Sequence, residues 1–427
     1  SAQRKESYMF KVFSLLPVFI LLTSLSAQQD TLPPGPVTDV SYTLTGDTLI
    51  ITWSNPEDTD FVGVMIRYVN EWTYERDPNY GTFLADTTSE TISHEVETGV
   101  PYVFSFFAYD TASNFSEPYF LPFYIPITDH DSLRILFIHH SCGSNWLATG
   151  NGNLRDSLEA QGYSVHDATY GDVIGENTDV CDWYPKFRDQ LDLVFTFDYH
   201  PNHYYQNGEE NDIIMFKSCF PNSNIISDGE PPGDPEDCTR TLWNYYAAYN
   251  ACAGIFKDHE DKLFVPVTAP PLIASHTTPE NAERARTFNN WLKSEWVEAY
   301  RDSYGLYNTA VFDFFDLLTR HGYSNYEEYP SGGGYDDHPN STGNRIATRE
   351  FIPFINWAVD QWQLHSLPYV PGDANGDGEV NINDLLFLAS YIFGGGPQPD
   401  PYLSGDENGD GIVDASDISY LANYLFG

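Results

Sequence analysis

Two loop-like segments near the C-terminus constrain this chain more than any other feature. They read DANGDGEVNIND from Asp373 and DENGDGIVDASD from Asp406. Each places oxygen-bearing side chains at positions 1, 3, 5, 9 and 12. In the first these are Asp373, Asn375, Asp377, Asn381 and Asp384, and in the second Asp406, Asn408, Asp410, Asp414 and Asp417. Gly378 and Gly411 stand at position 6, where such a loop turns sharply. Glu379 and Ile412 stand at position 7, where the ligand is a backbone carbonyl. Hard oxygen donors at this spacing suit Ca2+, one ion per loop and two per chain.

After each loop apolar residues recur at helical spacing: Leu385, Leu388 and Ile392, then Ile418, Leu421 and Leu425. Each unit is one loop feeding one helix, with Asp rather than Glu at position 12. The duplicated arrangement over 371–427 resembles a type I dockerin. That resemblance implies a small α domain of two calcium-binding loop–helix repeats whose partner is a cohesin-bearing scaffold protein. It also assigns partner contact to loop positions 10 and 11, here Ile382–Asn383 and Ala415–Ser416.

Charge sets limits on the remainder. The chain has 62 Asp and Glu against 20 Lys and Arg, a net charge of −42. Such a surface argues against nucleic acid, which is bound by cations on phosphates, and against anionic lipid. Ten of the acids and none of the bases fall in 371–427. With 41% apolar and 16% aromatic residues, wholesale disorder is excluded. At the N-terminus Lys11 precedes an apolar run from Val12 to Leu25, with small residues at Ser24, Ser26 and Ala27. This reads as a signal peptide over 1–27, hence an exported, extracellular mature chain with no membrane span.

From 33 to 128 short alternating runs predict an all-β sandwich. Thr48 to Trp53 alternates, and Tyr102, Phe104, Phe106 and Ala108 share one face. PPGPVTDVS, Trp53 and GVPYVFSFFAYDTASNFSEP resemble a fibronectin type III domain, in which Tyr102 makes the tyrosine corner and Trp53 is core. Trp72 and Tyr74 are read as core or strand-face aromatics, with contact to sugar rings as the alternative.

Residues 129–367 alternate strand-like and helical stretches. Strand runs are Arg134 to His139, Asp212 to Lys217, Lys262 to Val267 and Ala310 to Phe314. Helical stripes are Ala285, Phe288, Leu292 and Trp296, then Ala347, Phe351, Phe354, Ala358 and Trp362, the latter kinked at Pro353. The pattern predicts a three-layer α/β domain with a mainly parallel sheet and its chemistry beyond the strand C-termini.

Polar clusters fall at those ends: IHHSCG at 138–143, KSCFPNS at 217–223 and DDHPN at 336–340. A serine after the first strand and a late histidine beside an acid make a nucleophile and its base. ILFIHHSCGSNW, ATYGDV and DDHPNSTG resemble the blocks of SGNH hydrolases. The resemblance implies Ser141 as nucleophile, His338 as base, and Gly171 and Asn222 with backbone N–H groups as oxyanion donors. His139-His140 replaces the family's Gly-Asp, and Tyr335 stands where its acid would be. Asp336 then serves as the third member, or Ser141 and His338 act as a dyad. Lys217 either binds an anionic group of the substrate or makes an internal ion pair. His139 and His140 as metal ligands with His200 or His203 is a lesser reading, because neighbours on a strand face opposite ways.

The five cysteines, Cys142, Cys181, Cys219, Cys238 and Cys252, leave an odd thiol, and a Cys142–Cys219 bridge is one open pairing. The whole reads as a secreted modular serine esterase acting on decorated polysaccharide. The alternative is a non-catalytic SGNH-like module that binds carbohydrate or protein within a scaffolded complex.

Overall fold

A computed structural model describes residues 30–128, 130–366 and 369–427. The signal peptide expected over 1–27 lies outside the described residues. Alternation drives the N-terminal part. Strands β1 (Thr38–Thr45), β2 (Thr48–Ser54) and β5 (Thr91–Glu95) form one antiparallel sheet. Strands β3 (Phe61–Val69), β4 (Thr82–Thr87), β6 (Tyr102–Asp110) and β7 (Tyr119–Phe123) form the other, in the order β4-β3-β6-β7. Leu49, Ile51 and Trp53 from one sheet meet Val64, Ile66, Phe104 and Phe106 from the other in a shared core. The Tyr102 hydroxyl accepts the Glu97 N–H at 3.1 Å, a tie from strand to preceding corner.

The middle of the chain holds a four-stranded parallel sheet. Its strands are β8 (Arg134–Ile138), β9 (Ser164–Ala168), β12 (Ile213–Lys217) and β13 (Leu263–Val267), with a small hairpin of β10 (Phe197–Tyr199) and β11 (His203–Tyr204) between them in sequence. The order is β13-β12-β8-β9, all neighbours parallel. Residues expected as a strand at Ala310 to Phe314 make only parallel bridges, Thr309 to Phe264 and Phe312 to Val267, before the chain turns into a helix. Strand β9 carries His166 and Asp167 amid its apolar positions and lies outside the runs that the sequence predicts.

Both sheet faces are covered, as a parallel sheet requires. On one face Leu136, Ile138, Ile214, Phe216 and Phe264 pack against α3 (Val180–Thr196), α4 (Leu242–Phe256), α5 (Pro279–Trp291) and α6 (Val297–Tyr304). On the other, Ile135, Phe137, Ile213, Met215 and Val265 pack against α1 (Ser141–Leu147), α2 (Leu154–Glu159), α7 (Phe314–Leu318) and α8 (Ser341–Ser366). Each fully buried Phe here contributes on the order of 2–3 kcal/mol. Helix α8 runs through Pro353 rather than ending there. Just before it, β14 (Pro330–Ser331) pairs with β15 (Asp336–Pro339).

The C-terminal repeats give α9 (Ile382–Gly394) and α10 (Ala415–Phe426), which share Leu388, Leu421, Leu403 and Val413 as core. The sandwich is fastened to the middle by one carboxylate. Asp360 of α8, fully buried, accepts from the Tyr124 hydroxyl (2.7 Å), the N–H groups of Ile127 (2.7 Å) and Thr128 (3.0 Å), the Thr128 hydroxyl and His130 Nε2 (3.0 Å). Trp72 meets Trp357 edge-on at 6.2 Å, and Tyr74 stacks on His321 at 4.4 Å. Those two aromatics thus serve packing between the sandwich and the middle.

Candidate functional site

The reversal of strand order lies between β8 and β12, and the crevice of such a sheet opens there, past the strand C-termini. Ser141 follows β8 and opens α1; Cys219 follows β12. Gly143 sits on the first turn of α1, where an added Cβ would come within 2.4 Å of His139. Only glycine therefore lets α1 start this close to the end of β8.

His338 arrives from β15. Asn340 Oδ1 accepts the N–H groups of Thr342 (2.8 Å) and Gly343 (3.1 Å), holding the start of α8 and with it the strand before. His338 Nδ1 donates to Asp336 Oδ1 at 2.6 Å, which leaves Nε2 to accept the Ser141 hydroxyl at 2.8 Å. Asp336 is further fixed by the His338 N–H (3.1 Å) and the Ser331 hydroxyl (3.0 Å). The bond from the His338 ring, then the one from its N–H, holds the Asp336 carboxyl below the usual carboxylate range. The Asp336 side chain is 47% exposed, so water weakens its hold on the ring. Phe220 sets its edge against His338 at 5.0 Å.

The adjacent acid has another partner. Asp337 is buried and accepts from Ile273 N–H and His276 Nδ1, both at 2.8 Å. Strand alternation sends the two carboxyls to opposite sides.

Two expected oxyanion donors are committed elsewhere. Asn222 Nδ2 donates to Asp179 Oδ1 (2.7 Å) and to the Cys219 carbonyl (3.3 Å), while its Oδ1 accepts the Val180 N–H. Gly171 N–H donates to Glu176 Oε1 at 2.8 Å. The backbone N–H of Ser141, at the start of α1, precedes the first intrahelical bond.

The four histidines weighed as metal ligands have separate partners. His140 Nε2 bonds the Gly175 carbonyl, His139 Nδ1 the His140 carbonyl, and His200 Nδ1 Asp172, while His203 stacks on Tyr199. The cysteines depart from the pairing left open above: Cys181 bonds Cys238, and Cys142, Cys219 and Cys252 are thiols. Cys219 lies 3.8 Å from the Ser141 hydroxyl and 3.8 Å from Lys217 Nζ. Nothing in the spacing of KSCFPNS shows that this cysteine, rather than Asn222, faces the serine.

In the C-terminal loops Asp373 accepts the N–H groups of Asp377 (2.9 Å) and Gly378 (2.8 Å), and Asp406 those of Gly409 and Gly411 (2.8 Å each). Asp384 and Asp417 at position 12 are wholly buried and cap α9 and α10 in boxes with Asn381 and Asp414. Burial pushes Asp406 and Asp417 above the usual range, and 371–427 contains no Lys or Arg to offset them. Hard oxygens at this spacing, with buried carboxylates and no Lys or Arg in the segment, fit a divalent cation.

Residues 371–426 match the family model described as Dockerin type I domain. This dockerin is consistent with Ca2+ in its loop–helix repeats and implies a cohesin partner. No curated protein matches the chain. Among solved structures it is similar to the spore cortex lytic enzyme SleM of Clostridium perfringens, at 18% identity over 21% of this chain and 28% of that one, TM-score 0.18. It is also similar to the FN1–FN3 domains of chicken CNTN1, at 17% over 22% and 33%, TM-score 0.18. The twitchin kinase region of C. elegans matches at 19% over 22% and 17%, TM-score 0.18. The chain thus spans a third or less of the length of each of these three. Among the described residues no helix is long and apolar enough to cross a membrane.

Proposed function

We propose that the middle of the chain is an SGNH-type serine ester hydrolase, borne by a secreted protein organised as 1–27 signal, 33–128 fibronectin type III-like, 129–367 catalytic and 371–427 dockerin. The observation that carries it is the line Asp336–His338–Ser141, with contacts of 2.6 and 2.8 Å. His338 takes the Ser141 proton as Oγ attacks an ester carbonyl, and returns it to the leaving alcohol. Asp336 keeps the ring in the tautomer that accepts from serine. The Ser141 N–H is the oxyanion donor. The dockerin would deliver this activity to a cohesin-bearing assembly and so to acylated polysaccharide. Turnover of acetylated glycans and p-nitrophenyl acetate by the full chain tests the reading, and activity retained in Ser141→Ala overturns it.

The committed protons of Asn222 and Gly171 favour a second reading, a module of this fold that binds carbohydrate or protein without catalysis. Labelling of Ser141 by a fluorophosphonate separates the two, because an unactivated serine does not react.

A further inference from the structure

Lys217 is fully buried, yet among the described residues its Nζ has hydrogen-bond contact only with the Ser218 carbonyl (3.1 Å) and Cys219 Sγ (3.8 Å). A buried ammonium needs a counter-charge. Of those two partners, only the sulfur can become an anion. Two other donors converge on the same atom, the Cys142 thiol and the Cys142 N–H, and the Ser141 oxygen lies 3.8 Å from it. The bond from the Cys142 thiol, and after it the charge of Lys217, together outweigh burial and bring the Cys219 thiol down to about 3. Cys142 is held protonated by that same bond and by burial. Cys219 is partly exposed, whereas Cys142 and Cys252 are buried. A thiolate hydrogen-bonded to a second thiol is the arrangement of a reactive cysteine and its resolving partner.

We propose that Cys219 is an oxidant-sensing modification site at the rim of the Ser141–His338 pair, attacked by peroxide and resolved by Cys142 into a disulfide that stops turnover at Ser141. In the first step the Cys219 thiolate attacks one peroxide oxygen. The O–O bond breaks, hydroxide leaves and Cys219 becomes a sulfenic acid. In the second step Cys142 sulfur attacks that sulfur, the S–O bond breaks, and the Cys142 proton leaves with the hydroxyl as water. Two electrons pass from the thiols to the peroxide. The disulfide removes the anion beside Lys217 and draws the residue next to Ser141 toward β12. The loss of turnover rests on the hydrolase reading above; the thiol chemistry does not.

The test uses the full chain. Iodoacetamide labelling mapped by mass spectrometry is expected to modify Cys219 at least about tenfold faster than Cys252. Hydrogen peroxide is expected to yield a peptide joining Cys142 to Cys219. In Cys142→Ala the same treatment should instead leave a sulfenic acid at Cys219 that dimedone traps. Ester turnover should fall at least about tenfold with peroxide and return with dithiothreitol. Cys219→Ser should lose sensitivity to both reagents, which separates this pair from Cys181–Cys238. Equal labelling of Cys219 and Cys252, or oxidation without the Cys142–Cys219 peptide, overturns the proposal. A chain that cross-links but hydrolyses no ester sinks the hydrolase reading alone. A chain that hydrolyses esters through Ser141 with an inert Cys219 sinks this proposal alone.

Discussion

His338 Nε2 and Ser141 Oγ lie 2.8 Å apart although 197 residues separate them in the chain. Strand β8 delivers the serine and the β14–β15 hairpin delivers the histidine, so the pair depends on two unconnected elements holding position. Ser141→Ala or His338→Ala should lower ester turnover by about a thousandfold or more while leaving the melting temperature nearly unchanged. Asp336→Asn should cost less than either, because the carboxyl is half-exposed and acts through the ring. A loss in Asp336→Asn equal to that in His338→Ala would contradict this ranking.

The buried Asp360 collects its donors from the end of the sandwich and the segment after it. Asp360→Ala should cost about 3 kcal/mol in denaturant unfolding, since several donors lose a buried acceptor together. Asp360→Asn keeps the shape and should cost less. Equal stability of Asp360→Ala and the unaltered chain would show that this carboxylate fastens nothing.

His321 lies between Asp316 (3.3 Å) and Glu350 (3.2 Å), under Tyr74, with Arg286 and Lys293 on the far side of Asp316. Burial alone would lower its pKa; Glu350 and Asp316 outweigh burial and raise it to about 9. A folded-state value above the unfolded 6.5 gives stability that is complete below about pH 6.5 and is lost as pH rises through 9. Melting temperature should therefore fall across that window, and His321→Gln should flatten the fall. An unchanged slope in His321→Gln would assign the effect to other groups.

Calcium should bind the dockerin with a stoichiometry of about two, and chelation should selectively lower the stability of 371–427. Asp384→Ala and Asp417→Ala should each remove about one site by calorimetry. Either variant binding as many ions as the unaltered chain would exclude that loop.

Local patterns carried much of this protein. The spacing of Asp373 to Asp384 and Asp406 to Asp417 specified both loops and their helices, because a twelve-position loop carries its candidate ligands and its helix cap within one short window. Alternation at Thr48–Trp53 and Tyr102–Ala108 specified strands, because period two is a property of the backbone itself. The run at Ser164–Ala168 does not read as a strand in sequence because His166 and Asp167 interrupt its apolar character; the strand is held by its parallel pairing with β8. Tertiary structure alone decided which polar groups meet. It put Asp336 on His338 and sent Asp337 to His276, since neighbours on a strand face apart. It committed the Asn222 amide to Asp179, paired Cys181 with Cys238, and set Cys219 beside Ser141. These are contacts between segments brought together by the order of strands in the sheet, and no short window of sequence holds that order.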